Sequence, residues 1–300
     1  MSAGFPSPLV ALLRCPFDGQ SVEPVTVHGA GTRIVNGVLR CAACAREFAV
    51  SDGIVRLVDV AALHPESLRE MQRRDERSAS IATGARSEWT SAHADRLEAG
   101  PTIRALGPHA GAVVAELGCG TGRFTLPLAS QASAVVAIDF SDASLDVLGR
   151  KLGDVANVGL VQADVTALRL APRAFDRVLS TLHSNLPSRA HRAAALRLAA
   201  EVLRDDGRSV VSMHYHGLRD ILFRVPREGY YPDSAIYRYH MTPAEARREA
   251  APFFSQVRCE RVGVSLPGVR SLAVSRCAQR LSVLRGFARI LLAVAERPRR

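Results

Sequence analysis

Short apolar runs alternate with amphipathic segments from residue 101 onward, and this alternation strongly limits the folds that the chain can adopt. The apolar runs predict buried strands over 112–117, 134–139, 158–164, 175–181 and 208–214. The segments with helical periodicity between them are 122–131, 141–152 and 188–205. Such alternation indicates a mainly parallel sheet covered by helices on both faces. We therefore predict an α/β fold with a doubly wound, Rossmann-like sheet.

The chain divides into three regions by composition. With 300 residues and 47% hydrophobic content, it can form one large domain and one small one. Residues 1–60 carry short β-like runs between turns, which predicts a small N-terminal β module. Residues 61–100 are polar and charged and predict a helical linker, with Trp89 as a packing anchor. Residues 101–300 form the predicted α/β domain, with C-terminal strands over 255–266 and 288–296 on either side of an amphipathic helix.

One long connection inside the α/β domain, residues 217–241, carries most of the tyrosines of the chain. Long connections within compact domains are usually functional. We predict that this segment covers the substrate, and a surface insertion without that role is the alternative.

A glycine-rich loop follows the first predicted strand of this domain. The stretch AELGCGTGRF contains Glu116, Gly118, Gly120 and Gly122, in a G-x-G-x-G spacing that differs from the dinucleotide fingerprint G-x-G-x-x-G. Such a loop lets a ligand approach the backbone, and the following helix offers its amides to an anionic group. Asp139 ends the second strand, where a carboxylate can accept both hydroxyls of a ribose.

The motifs E-L-G-C-G-T-G, I-D and Q-A-D-V occur in that order and resemble those of the class I S-adenosylmethionine (SAM)-dependent methyltransferases. The resemblance spans about residues 101–215. It implies that the loop Gly118–Gly122 holds the methionine part of SAM, Asp139 the ribose, and Asp164 with Val165 the adenine. The predicted cofactor site also includes Glu116, Phe140 and Thr181. A glycine turn without a ligand, or a protein that binds SAM without turnover, would be the alternatives.

Polar residues after the fourth and fifth strands are candidates for acid–base chemistry and substrate contact. His183 in STLHSNLP and His214 in MHYHG are the predicted catalytic residues, although a structural histidine is about as common at such positions. The predicted substrate contacts are Asn185, His216, Tyr237 and His240. The segment after the fourth strand lacks the D/N-P-P-Y/F motif that many base-modifying amino-group methyltransferases carry, which weighs against that subclass.

The N-terminal module contains Cys15 and a C-x-x-C pair, Cys41 and Cys44. Over residues 8–58 it resembles the Trm112-like zinc-ribbon family, and the matching positions are Cys15, Pro16, Cys41, Cys44, Phe48, Val50, Asp52, Gly53 and Ile54. Asp18 stands where the family has its second cysteine. Zinc accepts carboxylate oxygen, so we predict either a structural Zn²⁺ held by three cysteines and Asp18, or a ribbon without metal. His28 is a further candidate for the fourth ligand.

The net charge of +10 comes almost wholly from arginine and allows an anionic partner such as RNA. Aromatic residues make up only 5% of the chain, which argues against a stacking platform for single strands. No apolar run reaches the roughly 18 residues of a membrane span, and the N-terminus lacks a signal-peptide pattern, so we expect a cytoplasmic protein. The leading hypothesis is a SAM-dependent methyltransferase for a small molecule. An RNA methyltransferase and a non-catalytic SAM-binding or partner-docking protein are the alternatives, and the oligomeric state is left open.

Overall fold

The structure is a computed structural model that describes residues 4–60, 63, 65–83, 92–232, 234–264, 266 and 271–299. The strands are β1 (Phe5–Pro6), β2 (Val22–His28), β3 (Arg33–Ile34), β4 (Asn36–Cys41), β5 (Glu47–Ser51), β6 (Ile54–Arg56), β7 (Val113–Leu117), β8 (Ala134–Asp139), β9 (Val158–Gln162), β10 (Phe175–Ser180), β11 (Leu203–Tyr215), β12 (Glu228–Tyr230), β13 (Tyr237–Met241), β14 (Phe254–Val262) and β15 (Ile290–Pro298). The helices are α1 (Pro65–Ala82), α2 (Ala92–Leu106), α3 (Thr125–Ala129), α4 (Asp142–Leu152), α5 (Arg189–Val202), α6 (Leu218–Leu222), α7 (Pro243–Ala250) and α8 (Leu272–Arg280). Trp89, the predicted packing anchor, lies outside the described residues.

The central sheet confirms the predicted doubly wound α/β fold. Strands β9, β8, β7, β10 and β11 lie side by side and are all parallel. Strand β15 pairs antiparallel with both β11 and β14, so β14 runs parallel to the central strands. The chain leaves β7 toward β8 and β9 on one side and returns to β10 and β11 on the other. This reversal creates a crevice at the carboxyl end of β7, where open α/β sheets bind ligands.

The sequence explains most of these elements. Every residue of β8 is buried, as expected for a parallel strand covered on both faces. The hydroxyl of Ser141 caps α4 by accepting the Ser144 N–H. Two predicted helices are shorter in the structure: 122–131 shrinks to α3 because Gly122, at φ +94°, lies outside the helical region, and 188–205 ends at Val202 because Leu203 begins β11.

The N-terminal region forms the small β module that the sequence predicted, and its strands β2, β4, β5 and β6 pair antiparallel. Its last strand pairs in parallel with β9, with Ile54 opposite Leu160. The two sheets are therefore one continuous sheet. An edge strand left unpaired would offer free backbone groups to other chains, and β6 covers this edge of the central sheet.

Segments outside the central sheet build the walls above the crevice. Helix α1 packs on α4, where Ser78 and Ser144 share a hydrogen bond of 2.7 Å. Strand β13 pairs with the end of β11, and this places His240 opposite His214. None of the helices that the structure describes is long and apolar enough to cross a membrane.

Candidate active site

A cavity of about 1330 Å³ opens at the carboxyl ends of β7, β8 and β10. Single small ligands usually occupy roughly 300–1,000 Å³, so this cavity can hold a cofactor and an acceptor together. Most of the predicted site residues line it: Gly118, Gly120, Asp139, Phe140, Asp164, Val165, Thr181, His183, Asn185, His214, Tyr237 and His240. Of the predicted cofactor, catalytic and substrate residues, Glu116, Gly122 and His216 lie outside this lining.

The glycine loop is fixed to the strands on either side of it. The N–H groups of Gly118 and Cys119 both donate to the Ile138 carbonyl, at 2.8 and 2.9 Å. The Thr181 hydroxyl donates to the Gly118 carbonyl at 3.1 Å. Gly120 has φ +54°, and a Cβ built there would meet no atom within 4 Å. The loop thus presents bare backbone to the cavity, as close approach of a ligand requires.

Two carboxylates stand beyond the loop. Asp139 accepts the Gly120 N–H at 2.7 Å through Oδ2 and the Ser141 N–H at 2.9 Å through Oδ1. A carboxylate has about four acceptor positions, so both oxygens can still receive ligand hydroxyls. Burial raises the pKa of Asp139, and the charge of Arg74 on α1 opposes that shift. Asp164 also lines the cavity and accepts the hydroxyl and the N–H of Thr166 through Oδ1, at 2.7 and 2.8 Å, while Oδ2 has no partner among the described residues.

Glu116 and Gly122 support the loop from behind. Glu116 is fully buried and accepts the Thr125 hydroxyl at 2.7 Å. Burial raises the pKa of Glu116 to about 8, with the charge of Asp139 acting in the same direction and the Thr125 hydrogen bond against it. A Cβ on Gly122 would lie 2.4 Å from the Leu148 side chain, so the glycine allows the loop to pack on α4. Both residues therefore position the loop rather than face the ligand.

The opposite end of the cavity contains buried polar atoms without partners. Both ring nitrogens of His183, Oδ1 of Asn185 and Nε of Arg238 have no hydrogen-bond partner among the described residues. Buried polar groups are nearly always hydrogen-bonded, so this cluster marks a site that a ligand can satisfy. Burial, with a smaller effect of Arg192, lowers the pKa of His183 to about 3. His183 is therefore neutral at physiological pH, so one of its ring nitrogens can donate a hydrogen bond and the other can accept one.

The histidines after β11 and on β13 have different surroundings. His214 Nε2 lies 2.5 Å from the Tyr231 hydroxyl, and burial lowers the pKa of His214 to about 3, with the charge of His240 acting in the same direction. Its ring stacks on that of His240, with 5.1 Å between centroids. His216 does not line the cavity, and its Nδ1 lies 3.9 Å from Oδ2 of Asp220.

Sequence reasoning missed two contributions to the cavity. Helix α1, predicted only as part of a linker, forms one wall, and its Asp75 accepts the Ser141 hydroxyl at 2.6 Å. The charge of the lining was also missed: nine arginines but only five acidic residues line the cavity within the part of the chain that is described. The arginines come from α1, the residue after the glycine loop, the 217–241 segment and the residue before β15, so only the folded chain brings them together.

Comparisons with known proteins agree with this geometry. A family model of methyltransferase domains matches residues 114–207. This segment is a SAM-dependent methyltransferase domain. The matched residues run from β7 through β11 and include the glycine loop, Asp139 and Asp164.

Curated relatives share parts of the methyltransferase domain. The chain is 35% identical over 117 residues to a demethylmenaquinone methyltransferase of Clavibacter sepedonicus, a match that covers 39% of this chain and 47% of that protein. It is 28% identical over 174 residues to the "Probable ribosomal RNA small subunit methyltransferase A" of Methanosarcina acetivorans, covering 48% of this chain and 64% of that protein. The chain thus spans about half to two-thirds of the length of these relatives.

A solved structure extends the likeness to nearly the whole chain. The Burkholderia thailandensis 1,6-didemethyltoxoflavin-N1-methyltransferase, solved with 1,6-didemethyltoxoflavin and S-adenosylhomocysteine, superposes with a TM-score of 0.54 at 21% identity. The match covers 92% of this chain and 99% of that protein. At this identity the likeness shows a shared fold.

A second cluster lies in the N-terminal sheet, apart from the methyltransferase cavity. One ligand atom each from Cys15, Asp18, Cys41 and Cys44 lies within 4.8 Å of the others. Two turns create the cluster, closed by the Gly19 N–H on the Cys15 carbonyl at 2.9 Å and by the Ala45 N–H on the Cys41 carbonyl at 3.2 Å. The Gln20 N–H, which donates to Asp18, is the main cause that lowers the pKa of that carboxyl to about 2. Three thiols and an ionised carboxylate at this spacing fit a tetrahedral zinc ion.

Proposed function

We propose that this protein transfers a methyl group from SAM to a small organic acceptor. The observation that carries the proposal is the order of groups at the carboxyl ends of the neighbouring strands β7, β8 and β9: the bare glycine loop, then Asp139, then Asp164, all lining the cavity. These are the groups that the methionine, ribose and adenine parts of SAM need, in that sequence. When bound, SAM supplies a methyl group activated by its sulfonium.

The protein would act mainly by alignment. Displacement at a sulfonium methyl needs the acceptor atom in line with the breaking bond, and holding two reactants in place can contribute several kcal/mol. Asp139 would receive the ribose hydroxyls and Asp164 the adenine amino group. Thr181, which fastens the loop to the end of β10, keeps the methionine side of the site beside His183 and Asn185.

The shape of the cavity favours a small acceptor over RNA. The 217–241 segment contributes residues such as Phe223, Tyr231 and Tyr237 to the wall, and so covers the acceptor end. Phe223 and its chain neighbours Ile221 and Leu222 are each more than half exposed. Exposed apolar side chains next to a cavity suit an acceptor with an apolar part, whereas an RNA site would need a basic surface along a strand.

Loss of Asp139 should remove cofactor binding. We expect Asp139→Ala to weaken S-adenosylhomocysteine binding by about a hundredfold, or about 2.7 kcal/mol, because charge-assisted hydrogen bonds to ligand hydroxyls disappear. Isothermal titration calorimetry measures this directly. Asp154→Ala, an exposed aspartate on the loop before β9, is the matched control and should bind normally. Equal affinities of the wild type, Asp139→Ala and Asp154→Ala for S-adenosylhomocysteine would contradict the proposed cofactor site.

The acceptor can be sought without knowing its identity. Incubation of the wild-type protein with methyl-labelled SAM and a cell extract, followed by mass spectrometry, should place label in the small-molecule fraction and not in RNA. Label in RNA, with binding that weakens steeply as salt rises, would instead support the RNA alternative. Intact SAM binding without labelled product in either fraction would support the non-catalytic alternative.

We further propose that Cys15, Asp18, Cys41 and Cys44 hold a structural zinc ion. The cluster lies on the side of the N-terminal sheet that contacts the segment after β9, where Arg169 donates to the Pro16 carbonyl at 3.3 Å. That segment also contains Asp164. A metal that fixes the turns would therefore also stabilise the region beside the proposed adenine site.

Zinc content gives a test of Asp18 as a ligand. We expect Asp18→Ala to weaken zinc binding at least about tenfold, a loss seen even for changes outside the ligand shell. Asp18→Cys, which completes a four-thiolate set, should retain the metal. Glu23→Ala, an exposed carboxylate in the same sheet, is the control. Competition with a chelator measures the affinities, and unchanged binding by Asp18→Ala would exclude Asp18 as a ligand.

A further inference from the structure

His240 and Asp220 form a buried pair at the acceptor end of the cavity. The His240 Nδ1 atom lies 2.5 Å from Oδ2 of Asp220, and the Asp220 residue is only 2% exposed. The other oxygen of Asp220 accepts from Arg219 at 3.1 Å. In the sequence, Asp220 comes several residues after the fifth predicted strand. It lies in α6, and only the fold brings it next to β13. The pair is therefore invisible in the sequence.

This geometry determines which nitrogen of His240 can react. A carboxylate only accepts hydrogen bonds, so Nδ1 of His240 carries the hydrogen and donates it in a hydrogen bond to Asp220. In a neutral imidazole the other nitrogen, Nε2, then has a free lone pair. The Nε2 atom of His240 is buried without a partner among the described residues, and the residue lines the cavity. Asp220 thus holds the ring in the tautomer of a proton acceptor.

The two histidines predicted as catalytic have less suitable surroundings. The Nε2 atom of His214 is occupied by Tyr231 at 2.5 Å. His183 has no carboxylate partner among its described contacts, so no group fixes its tautomer. Burial lowers the pKa of both rings to about 3, which makes each a weak base. Only His240 combines a buried carboxylate on one nitrogen with an unpartnered second nitrogen within the described part of the cavity.

The charge of the lining restricts the acceptor. The excess of arginines over acidic residues disfavours a cationic amine and favours a neutral or acidic acceptor. A base is needed when the acceptor is a hydroxyl, and general-base catalysis is most effective when the two pKa values are not far apart. A phenol titrates near pH 10, as tyrosine does, and is much closer to imidazole than an aliphatic alcohol is.

We propose that His240 is the general base of methyl transfer to an acidic hydroxyl of the phenol or enol class, and that Asp220 is its positioning residue. This inference rests on the proposed function. The acceptor oxygen bonds to the methyl carbon while the carbon–sulfur bond breaks and its electron pair stays on sulfur. The hydroxyl proton moves to His240 Nε2, Asp220 balances the imidazolium charge, and the proton then passes to solvent.

Turnover with a phenolic acceptor tests the pair. We expect His240→Asn to lower kcat by about 10²–10⁴-fold, the usual contribution of a general base. Asp220→Asn should lower kcat by roughly tenfold to a hundredfold with KM unchanged, and Asp220→Glu should restore part of the loss, because the carboxylate acts through the ring. Asp206→Asn, at an exposed aspartate on β11, is the matched control for Asp220→Asn and should be fully active. Unchanged kcat in His240→Asn would overturn the inference.

Binding of 4-nitrophenol gives a readout without turnover, because its phenolate absorbs visible light and its phenol does not. At a pH where the free compound is mostly protonated, the wild-type protein should bind it as phenolate, and His240→Asn as phenol. Equal ionisation in both proteins, or no binding by the wild type, would contradict the proposal. S-adenosylhomocysteine affinity distinguishes failure of the general base from failure of the proposed function. Normal affinity in His240→Asn together with unchanged kcat would exclude His240 as the base and leave the methyltransferase proposal standing. No affinity in the wild type would contradict both proposals.

Discussion

Alanine at Gly120 is expected to leave the fold intact and to reduce SAM and S-adenosylhomocysteine affinity by about a hundredfold or more, equivalent to about 2.7 kcal/mol. The Gly120 N–H that donates to Asp139 remains in the variant, so the loop stays attached to β8. A Cβ at this position enters open space in the free protein, and that space belongs to the cavity. The added methyl group would therefore collide with a bound ligand and with little else.

Gly31 provides a control for backbone strain. It lies in the exposed turn between β2 and β3 at φ +57°, against +54° for Gly120, and a Cβ on either glycine would meet no atom within 4 Å. Alanine at such a positive φ costs about 1–2 kcal/mol. Gly120→Ala and Gly31→Ala should thus lose similar stability in thermal unfolding, and calorimetry should find the affinity loss only in Gly120→Ala. Normal cofactor affinity in Gly120→Ala would mean that the loop does not touch the ligand.

The position of the proposed cofactor residues at one crevice could be predicted because their signals are local. Asp139 is the last residue of a strand, and Gly118, Gly120 and Asp164 lie within three residues after one; the apolar run of each strand is visible in the sequence. In a doubly wound sheet the carboxyl ends of neighbouring parallel strands meet in one crevice, so strand prediction alone brought these residues together. That Glu116 and Gly122 lie behind the loop depends on the contacts of Thr125 and Leu148, which no spacing reveals.

The acceptor end could not be predicted in the same way. His240 was proposed as a substrate contact, but its partner Asp220 lies in α6, and only the pairing of β13 with β11 joins them. The α1 wall and the pairing of β6 with β9 likewise depend on packing between distant segments. A polar stretch such as 65–82 gives no sign in the sequence that it will close over a cavity rather than face solvent.

One buried ion pair connects several elements behind the acceptor end. Arg192 on α5 donates to both oxygens of Glu249 on α7, at 3.0 and 2.9 Å, and the two side chains are only 7% and 12% exposed. Arg192 also donates to the Leu186 carbonyl at 3.3 Å and lies over the Tyr239 ring. The guanidinium therefore links α5, α7, β13 and the loop after His183.

Removal of the carboxylate should destabilise the protein strongly. We expect Glu249→Ala to lower the free energy of unfolding by about 3–5 kcal/mol, because Arg192 would remain buried without a countercharge. The exposed pair Arg40–Glu47, at 47% and 53% exposure, is the control, and Glu47→Ala should cost at most about 1 kcal/mol. Urea denaturation measures both losses. The double variant Arg192→Leu/Glu249→Leu distinguishes the effect of charge from that of packing. Because it leaves no unpaired ion, it should recover much of the stability that Glu249→Ala loses. A double variant as unstable as Glu249→Ala would show that the loss has another cause.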